Sequence, residues 1–320
     1  MNFSSYILGC GSYLPKKIIK NNELPKKLKT SDEWIKTRTG IRQRHIADKK
    51  QFNSDLGFEA AQKAIKNSQI SISNIDLIIV ATSTPDHTFP STATKIQGKL
   101  GIKKGFAFDI QAACSGFIYA LSVADNYIVN NQAKNALVIG SEVFSRILDW
   151  NDRSTCVLFG DGAGAIVLGK NKKKNSGIIS TELYSDGRHY DLLYVNGGVA
   201  TNQKAGYVKM KGKEVFKHAV QKLVSCIEIS LKKNNLKKND IDWIVPHQAN
   251  KRIMDMTAVK LGVSKDKVLA TVDKYANTSS ASIPLTLDYA VKKKIIKRGD
   301  IVVFEAIGGG LTWGCSIMKY

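Results

Sequence analysis

The order strand, helix, strand, helix, strand occurs twice along this chain, and that repetition restricts the fold more than any other feature. In the first half the apolar run Ile75–Val80 ends in a Thr/Ser/Pro turn, and a helical stretch follows around Ser91–Leu100. The run Phe106–Ile110 then leads through Gln-Ala-Ala into Cys114, the amphipathic segment Ser115–Val129 and the strand Ala136–Gly140. Thr155–Leu158 and Gly164–Leu168 close this half around a glycine turn. In the second half Ile241–Val245 ends at Pro246-His247, Lys251–Leu261 reads as a helix, and Val268–Val272 runs towards Asn277. Ser279–Lys292 reads as a helix, and Ile301–Glu305 and Gly314–Met318 as strands.

The spacings agree. Asp76 and Cys114 stand 38 residues apart, Asp242 and Asn277 35; Cys114 to Leu137 is 23, Asn277 to Ile301 is 24. Strands alternating with helices of ~10–15 residues imply parallel pairing through right-handed crossovers, hence an α/β fold. Two ordinary α/β stretches could match this way by chance. True copies would put Cys114 and Asn277 at equivalent strand-to-helix turns, with His247 at a neighbouring strand end, where open α/β sheets hold ligands. The expected division is 1–170 and 171–320, with the Lys/Asn/Ser run Lys170–Ser176 as a solvated connection. Lys211–Asn234 carries Val215, Ala219, Leu223, Ile227 and Leu231 at helical spacing. Thr30–Ile46 matches neither copy and reads as an insertion over the site.

Charge is the one feature that points elsewhere. Against 27 Asp+Glu the chain has 48 Lys+Arg, a net +21. Only eight of the basic residues are arginine; the rest are lysines, many in short runs at element ends such as Lys172–Lys174 and Lys292–Lys294. Lys, Asn and Ile share A/T-rich codons, so surface drift accounts for the excess. Nucleic-acid readers rely on Arg forks and clustered basic faces, so no nucleic-acid partner is expected. With 43% hydrophobic residues the chain can build a core, which excludes intrinsic disorder. No run approaches the ~20 apolar residues that span a bilayer, and Met1–Leu14 lacks the features of a signal peptide. Five scattered cysteines without a C-x-x-C argue against disulfides and zinc. The expectation is a cytoplasmic protein without membrane contact.

Cys114 is the candidate nucleophile. It lies in Ala112-Ala-Cys-Ser-Gly-Phe117 at a strand-to-helix join, where helix N–H groups should lower its pKa and small neighbours leave room for an acyl group. A buried structural cysteine is the ordinary alternative, and that reading is kept for Cys10, Cys156, Cys226 and Cys315. His247 follows Val-Pro at a strand end; His45, His87, His189 and His218 are read as ordinary core or surface histidines. Asn277 could simply cap a helix, and Gly308–Gly310 could be a tight turn or a place for close backbone approach. Phe159-Gly-Asp-Gly-Ala-Gly164 fits no nucleotide loop and reads as a hairpin turn.

Taken in order, the stretches Gly11-Ser-Tyr-Leu-Pro15, Thr30-Ser-Asp-Glu-Trp-Ile35, Thr37-Arg-Thr-Gly-Ile-Arg42, Arg44-His-Ile46, Ala112-Ala-Cys-Ser-Gly-Phe117, Phe159-Gly-Asp-Gly-Ala-Gly-Ala165, Val245-Pro-His-Gln-Ala-Asn250, Asn277-Thr-Ser and Gly308-Gly-Gly resemble the β-ketoacyl-acyl-carrier-protein synthase III family. These are the initiating condensing enzymes of type II fatty-acid synthesis, in the thiolase-like superfamily. The resemblance spans essentially the whole chain. It implies an internally duplicated α-β-α-β-α layered sandwich with two mixed sheets, a homodimer, and no cofactor or metal, since the coenzyme A thioester is a substrate. Cys114 would accept the acyl group, with His247 and Asn277 completing a Cys-His-Asn triad and the amides of Cys114 and Gly310 forming an oxyanion hole. Asn277, taken as the second-half equivalent of the cysteine, favours the initiating over the elongating class.

By the same resemblance Trp34 and Arg153 would flank the adenine of coenzyme A, with Thr30, Arg38 and Asn250 lining the cleft. Phe89 would reach into the partner's acyl pocket. Gln248, Ala249, Asn250, Lys251 and Arg252 would dock the acyl-carrier protein. Lys211 departs from the family pattern, which has a small apolar residue there. The implied reaction is a decarboxylative Claisen condensation of a short acyl-CoA, acetyl-CoA above all, with malonyl-acyl-carrier protein. Three rivals remain at this stage: a papain-like thiol hydrolase, which shares the Cys…His…Asn order; another thiolase-superfamily condensing enzyme; and a non-enzymatic basic binding protein.

Overall fold

A computed structural model of the chain describes residues 4–171 and 176–320; residues 172–175, the centre of the predicted solvated connection, lie outside the described residues. The principal strands are β1 (Ser4–Tyr13), β2 (Leu77–Ala81), β3 (Phe106–Ile110), β4 (Asn135–Glu142), β5 (Gly162–Asn171), β6 (Gly177–Ser185), β7 (Trp243–Pro246), β8 (Ile301–Gly308) and β9 (Thr312–Lys319). The principal helices are α1 (Asp32–Thr39), α2 (Asn53–Ser68), α3 (Thr92–Lys99), α4 (Gly116–Val129), α5 (Gly212–Lys233), α6 (Lys251–Leu261) and α7 (Ser282–Lys292).

One mixed sheet has the order β1-β5-β4-β2-β3, parallel across β4-β2-β3 and antiparallel at β5 and β1. The second has the order β7-β8-β9-β6, parallel between β7 and β8 and antiparallel beyond. A parallel bridge between Ile244 and Val268 stands where β3 stands in the first sheet. The two halves therefore share one topology. One offset recurs at several element ends: 166 residues separate Asn135 from Ile301, Glu142 from Gly308, Leu77 from Trp243 and Gly116 from Ser282.

The layers follow from composition. Strand β2 reads Leu-Ile-Ile-Val-Ala and is buried on both faces, the pattern of a parallel strand covered on two sides. Helices α4 and α7 are apolar almost all round. Phe117, Leu121 and Ile128 of α4 join Ile283, Leu287 and Ala290 of α7 in one buried cluster with strand residues from both sheets. Pro284 is tolerated because it lies in the first turn of α7. Outside the first sheet, α2 and α3 pack through Leu56, Ala60, Ala64 and Ile96. Outside the second, α5 and α6 pack through Leu223, Ile227, Ile253 and Leu261. The result is the thiolase-like α-β-α-β-α sandwich. Truncating a central side chain such as Phe117 to Ala would cost about 3–5 kcal/mol.

Several local expectations need correction. Val268–Val272 is not a strand beyond the single bridge, because the Gln248 side chain captures the N–H groups of Thr271 and Val272. Thr155–Leu158 belongs to a helical turn, Arg153–Cys156, capped by Asp152 through the Ser154 N–H. Phe159–Gly164 makes no hairpin: Phe159 bridges to Asn277, and β5 starts at Gly162 between β4 and β1. The predicted helix over Lys211–Asn234 is α5, with Ala219, Leu223, Ile227 and Leu231 buried. The insertion Thr30–Ile46 holds α1 and a strand, Gln43–Ile46, that pairs with Lys17–Lys20 outside both sheets. Among the described residues no helix is long and apolar enough to cross a membrane.

Candidate active site

Four turns converge beyond the carboxyl ends of the central strands: Ala112–Ser115 after β3, His247 after β7, Asn277–Ser280 before α7, and Gly308–Leu311 after β8. Cys114 sits in a short 3-10 turn that runs directly into α4, entered through Ala113 at φ 46°. Thr312 ties this turn to the glycine loop: its hydroxyl lies 2.7 Å from that of Ser115 and 3.1 Å from the Ala112 carbonyl oxygen. Gly308 approaches so closely that a Cβ there would stand 2.6 Å from the Cys114 nitrogen. Gly310, at φ 134°, holds a backbone that a side chain rarely adopts. The end of β8 and the Cys114 turn are thus in direct backbone contact at Gly308.

The electrostatics correct one expectation. Cys114 is 5% exposed, and burial pushes its thiol up to about 12, with the nearby Glu142 carboxyl adding to the rise. The lowering influences, the Ser279 hydroxyl and the thiol's own backbone amide, are weaker than desolvation. The free enzyme holds a thiol, not the thiolate that the helix terminus alone would favour. Burial also drives His247 down to about 3, so its imidazole is neutral. Its backbone N–H donates to the Glu305 carbonyl at 2.7 Å, and its buried Nδ1 has no hydrogen-bond partner among the described residues.

Asn277 is fixed from both sides. Its N–H donates to the Leu158 carbonyl at 2.9 Å, and its carbonyl accepts from Gly160 N–H at 3.0 Å. Its Oδ1 accepts from Ser279 N–H at 2.8 Å, which leaves the amide NH₂ to donate into the site. The Phe159-Gly-Asp-Gly stretch is therefore a clamp on Asn277. Asp161 anchors it by accepting from Ser145 N–H and hydroxyl and from Ala47 N–H. The fully buried Arg44 holds the Val157 carbonyl at 2.9 Å. The 166-residue offset between the starts of α4 and α7 shows that Asn277 lies in the same turn as expected but is not the true counterpart of Cys114. That residue is Ser280, and Ala113 pairs with Ser279, at φ 46° and 50°.

A cavity of about 1010 Å³ reaches Cys114, with Phe159, Gly309, Gly310 and Thr312 in its wall and Tyr194 and Val199 towards its mouth. His87, read from sequence as ordinary, also lines it. Phe89 lies outside this wall and is 83% exposed, an aromatic that its own chain leaves uncovered. His247 and Asn277 lie outside the wall as well.

Two guanidinium groups lie over the Trp34 ring, Arg38 at 4.9 Å and Arg153 at 4.7 Å from the ring centre. Arg153 also donates to the Lys29 carbonyl at 2.8 Å. The two residues expected to flank an adenine thus touch each other, and a base entering between them must displace Arg153 from the ring. Thr30 Oγ1 is buried and has no hydrogen-bond partner among the described residues. Asn250 caps α6 through Ile253 N–H, and Gly262 at φ 73° ends that helix. Of the expected docking residues, Arg252 is exposed over the Phe216 ring and Lys251 pairs with Asp255; Ala249 is half-buried. Gln248 is corrected: it is 1% exposed, and both ends of its amide are consumed by Pro246, Leu269, Thr271 and Val272. It cannot meet a protein partner. Lys211 is exposed at the start of α5. Glu142, Ser279 and Thr312 were missed in the sequence; only the exact register of the two halves would have drawn attention to Ser279.

Residues 108–187 match the family described as 3-oxoacyl-[acyl-carrier-protein (ACP)] synthase III, and residues 231–320 match its C-terminal counterpart. The chain is 57% identical over 319 residues to the β-ketoacyl-[acyl-carrier-protein] synthase III of Paramagnetospirillum magneticum, covering 98% of each. The structure superposes on 3-oxoacyl-[acyl-carrier-protein] synthase III from Aquifex aeolicus with a TM-score of 0.94 at 46% identity, covering 99% of this chain and all of that one. It also superposes on the priming β-ketosynthase of the R1128 polyketide pathway with a TM-score of 0.93 at 32% identity, covering 98% and 96%.

Proposed function

The chain belongs to the 3-oxoacyl-[acyl-carrier-protein] synthase III family, the condensing enzymes that initiate fatty-acid synthesis, and from that premise we propose how its own residues carry the reaction. Cys114 Sγ attacks the carbonyl carbon of a short acyl-CoA, preferentially acetyl-CoA. The carbon–sulfur bond to coenzyme A breaks, the thiol proton leaves with coenzyme A, and an acyl-Cys114 remains. Malonyl-acyl-carrier protein then loses CO₂. Neutral His247 and the free NH₂ of Asn277 donate to its thioester oxygen and hold the enolate. The enolate carbon attacks the acyl-Cys114 carbonyl, the amides of Cys114 and Gly310 hold the tetrahedral oxyanion, and collapse expels the Cys114 thiolate, which regains a proton. Each oxyanion donor is worth about 3–4 kcal/mol.

The observation that carries this reading is the contact of Gly308 with the Cys114 amide, beside a neutral His247 and an Asn277 whose Oδ1 is already taken. Coenzyme A lies along Thr30, Trp34, Arg38, Arg153 and Asn250, with its adenine taking the ring face of Trp34 from Arg153. Lys251 and Arg252 meet the acidic carrier protein. The division into a nucleophile half, 1–170, and a His/Asn half, 171–320, follows the two sheets. We place the enzyme in the cytoplasm as a homodimer in which Phe89 enters the partner's acyl pocket, working without cofactor. Intact-mass measurement after acetyl-CoA treatment tests the assignment: the native chain should gain one acetyl group and Cys114→Ala none. A labelled Cys114→Ala chain would remove Cys114 as nucleophile. A panel of acyl-CoAs in the same assay reads the primer.

A further inference from the structure

Ser279 bears on all three members of the proposed triad. Its N–H fixes Asn277 Oδ1 at 2.8 Å. Its backbone bears on the His247 imidazole, and its hydroxyl stands beside the Cys114 thiol and the Glu142 carboxyl. That hydroxyl is fully buried, yet it makes no hydrogen bond in good geometry among the described residues. Leaving a buried hydroxyl unsatisfied costs about 1–3 kcal/mol, so such a group is suited to a partner that forms during the reaction.

The surroundings fix it there. Ser279 holds a left-handed backbone, φ 50°, in register with Ala113, the residue before the nucleophile. The next residue, Ser280, places its hydroxyl 2.7 Å from the Ala81 carbonyl and 3.0 Å from Glu142 Oε1. Glu142 is itself held by the Thr84 hydroxyl at 2.5 Å and the Ser83 N–H at 3.1 Å. This buried lattice joins the loop after β2 to the turn before α7 and lets the Ser279 hydroxyl rotate without moving its backbone.

We propose that the Ser279 hydroxyl donates a hydrogen bond to Cys114 Sγ whenever that sulfur becomes a thiolate, both in priming and on expulsion from the condensation intermediate. The hydroxyl keeps its proton; the thiol proton leaves with coenzyme A. The charged group that acts on the sulfur is Glu142, from the end of β4, which opposes ionisation; the His247 imidazole, after β7, is neutral. The Ala112–Ser115 turn and the glycine loop bring no charged side chain. A hydrogen bond to a charged sulfur therefore acts against burial where little else does.

The inference rests on Cys114 being the nucleophile, and its test is separate from the acylation test of that reading. The rate of iodoacetamide alkylation of Cys114 is followed against pH in the native chain, Ser279→Ala and Ser279→Gly, with glycine suited to the left-handed backbone. Both variants should move the midpoint up by about one pH unit and slow acetyl-CoA acylation about tenfold at neutral pH. Malonyl-thioester decarboxylation should stay within about twofold, because the contacts to Asn277 and His247 are made by the backbone. An unshifted midpoint in either folded variant overturns the proposal. So does equal loss of acylation and decarboxylation, or loss of the melting transition in both, since either would assign the residue to the fold. Failure of the native chain to acquire an acetyl group would instead sink the nucleophile assignment.

Discussion

Replacing Gly308 by alanine tests the oxyanion geometry at its narrowest point. The added Cβ would stand 2.6 Å from the Cys114 nitrogen, 3.1 Å from the Ala113 Cβ and 3.2 Å from the Ala112 carbonyl oxygen. Ordinary contact begins near 3.4 Å, so the end of β8 and the nucleophile turn must part by roughly 0.8 Å. All three obstructing atoms belong to the turn itself or to its shortest side chain, and none can swing away. Misplacement on the order of 1 Å costs about 10²-fold in rate, and loss of one oxyanion donor costs about 10²–10³ in kcat. Overpacking adds about 1–3 kcal/mol of destabilisation. Turnover of Gly308→Ala in a coupled condensation assay should therefore fall at least about 10²-fold, with its melting temperature lowered by several degrees. Gly98→Ala, where a Cβ meets nothing within 4 Å, is the control and should gain up to about 1 kcal/mol from helix propensity. A Gly308→Ala enzyme that turns over within threefold of the native one would refute the placement of the glycine loop against the nucleophile.

Asn277→Ala should still acquire an acetyl group but lose malonyl decarboxylation, measured as released CO₂; unimpaired release would remove Asn277 from the second step. Trp34→Ala should raise KM for acetyl-CoA by about 5- to 150-fold, the range of a base stacked on an aromatic ring, with kcat nearly unchanged. Burial holds Glu305 up to about 8, against 4.5 in a free carboxyl, so the unfolded chain ionises before the folded one. Stability present below pH 4.5 should then drain as the pH rises to about 8. Glu305→Gln should flatten that slope in melting curves recorded across the window; an unchanged slope would mean that another group sets it.

Much of the fold was legible because its signals are local. Helix α6 matches its expected bounds, Lys251–Leu261, since an apolar face begins at an asparagine cap and ends at a glycine. Strand β2 announces itself as an unbroken β-rich run. Val268–Val272 has the same composition, but a distant amide, that of Gln248, takes its N–H groups. No window of sequence contains that event. Gln248 was misjudged for the same reason: a polar residue before a helix looks exposed until its partners are known. The turn that carries Cys114 was recognisable, but the ionisation of its thiol depends on how completely other segments cover it. The Asn277 comparison erred by three residues because spacing was counted to the chemically notable residue. The register runs instead to the chemically quiet Ser280.

The shared middle layer has a consequence for how such a site comes to exist. Helices α4 and α7 bury their faces in one cluster drawn from both sheets, so neither repeat covers the inner face of its sheet alone. A chain carrying a single copy would leave its central helix bare and could cover it only by pairing with another copy. The proposed triad stands on that seam: the sulfur comes from one side, and the imidazole and the carboxamide come from the other. The active site is in this sense an interface between two like partners, made permanent by their joining in one polypeptide, and the loss of likeness between Cys114 and Ser280 is what allows its two sides to do different chemistry.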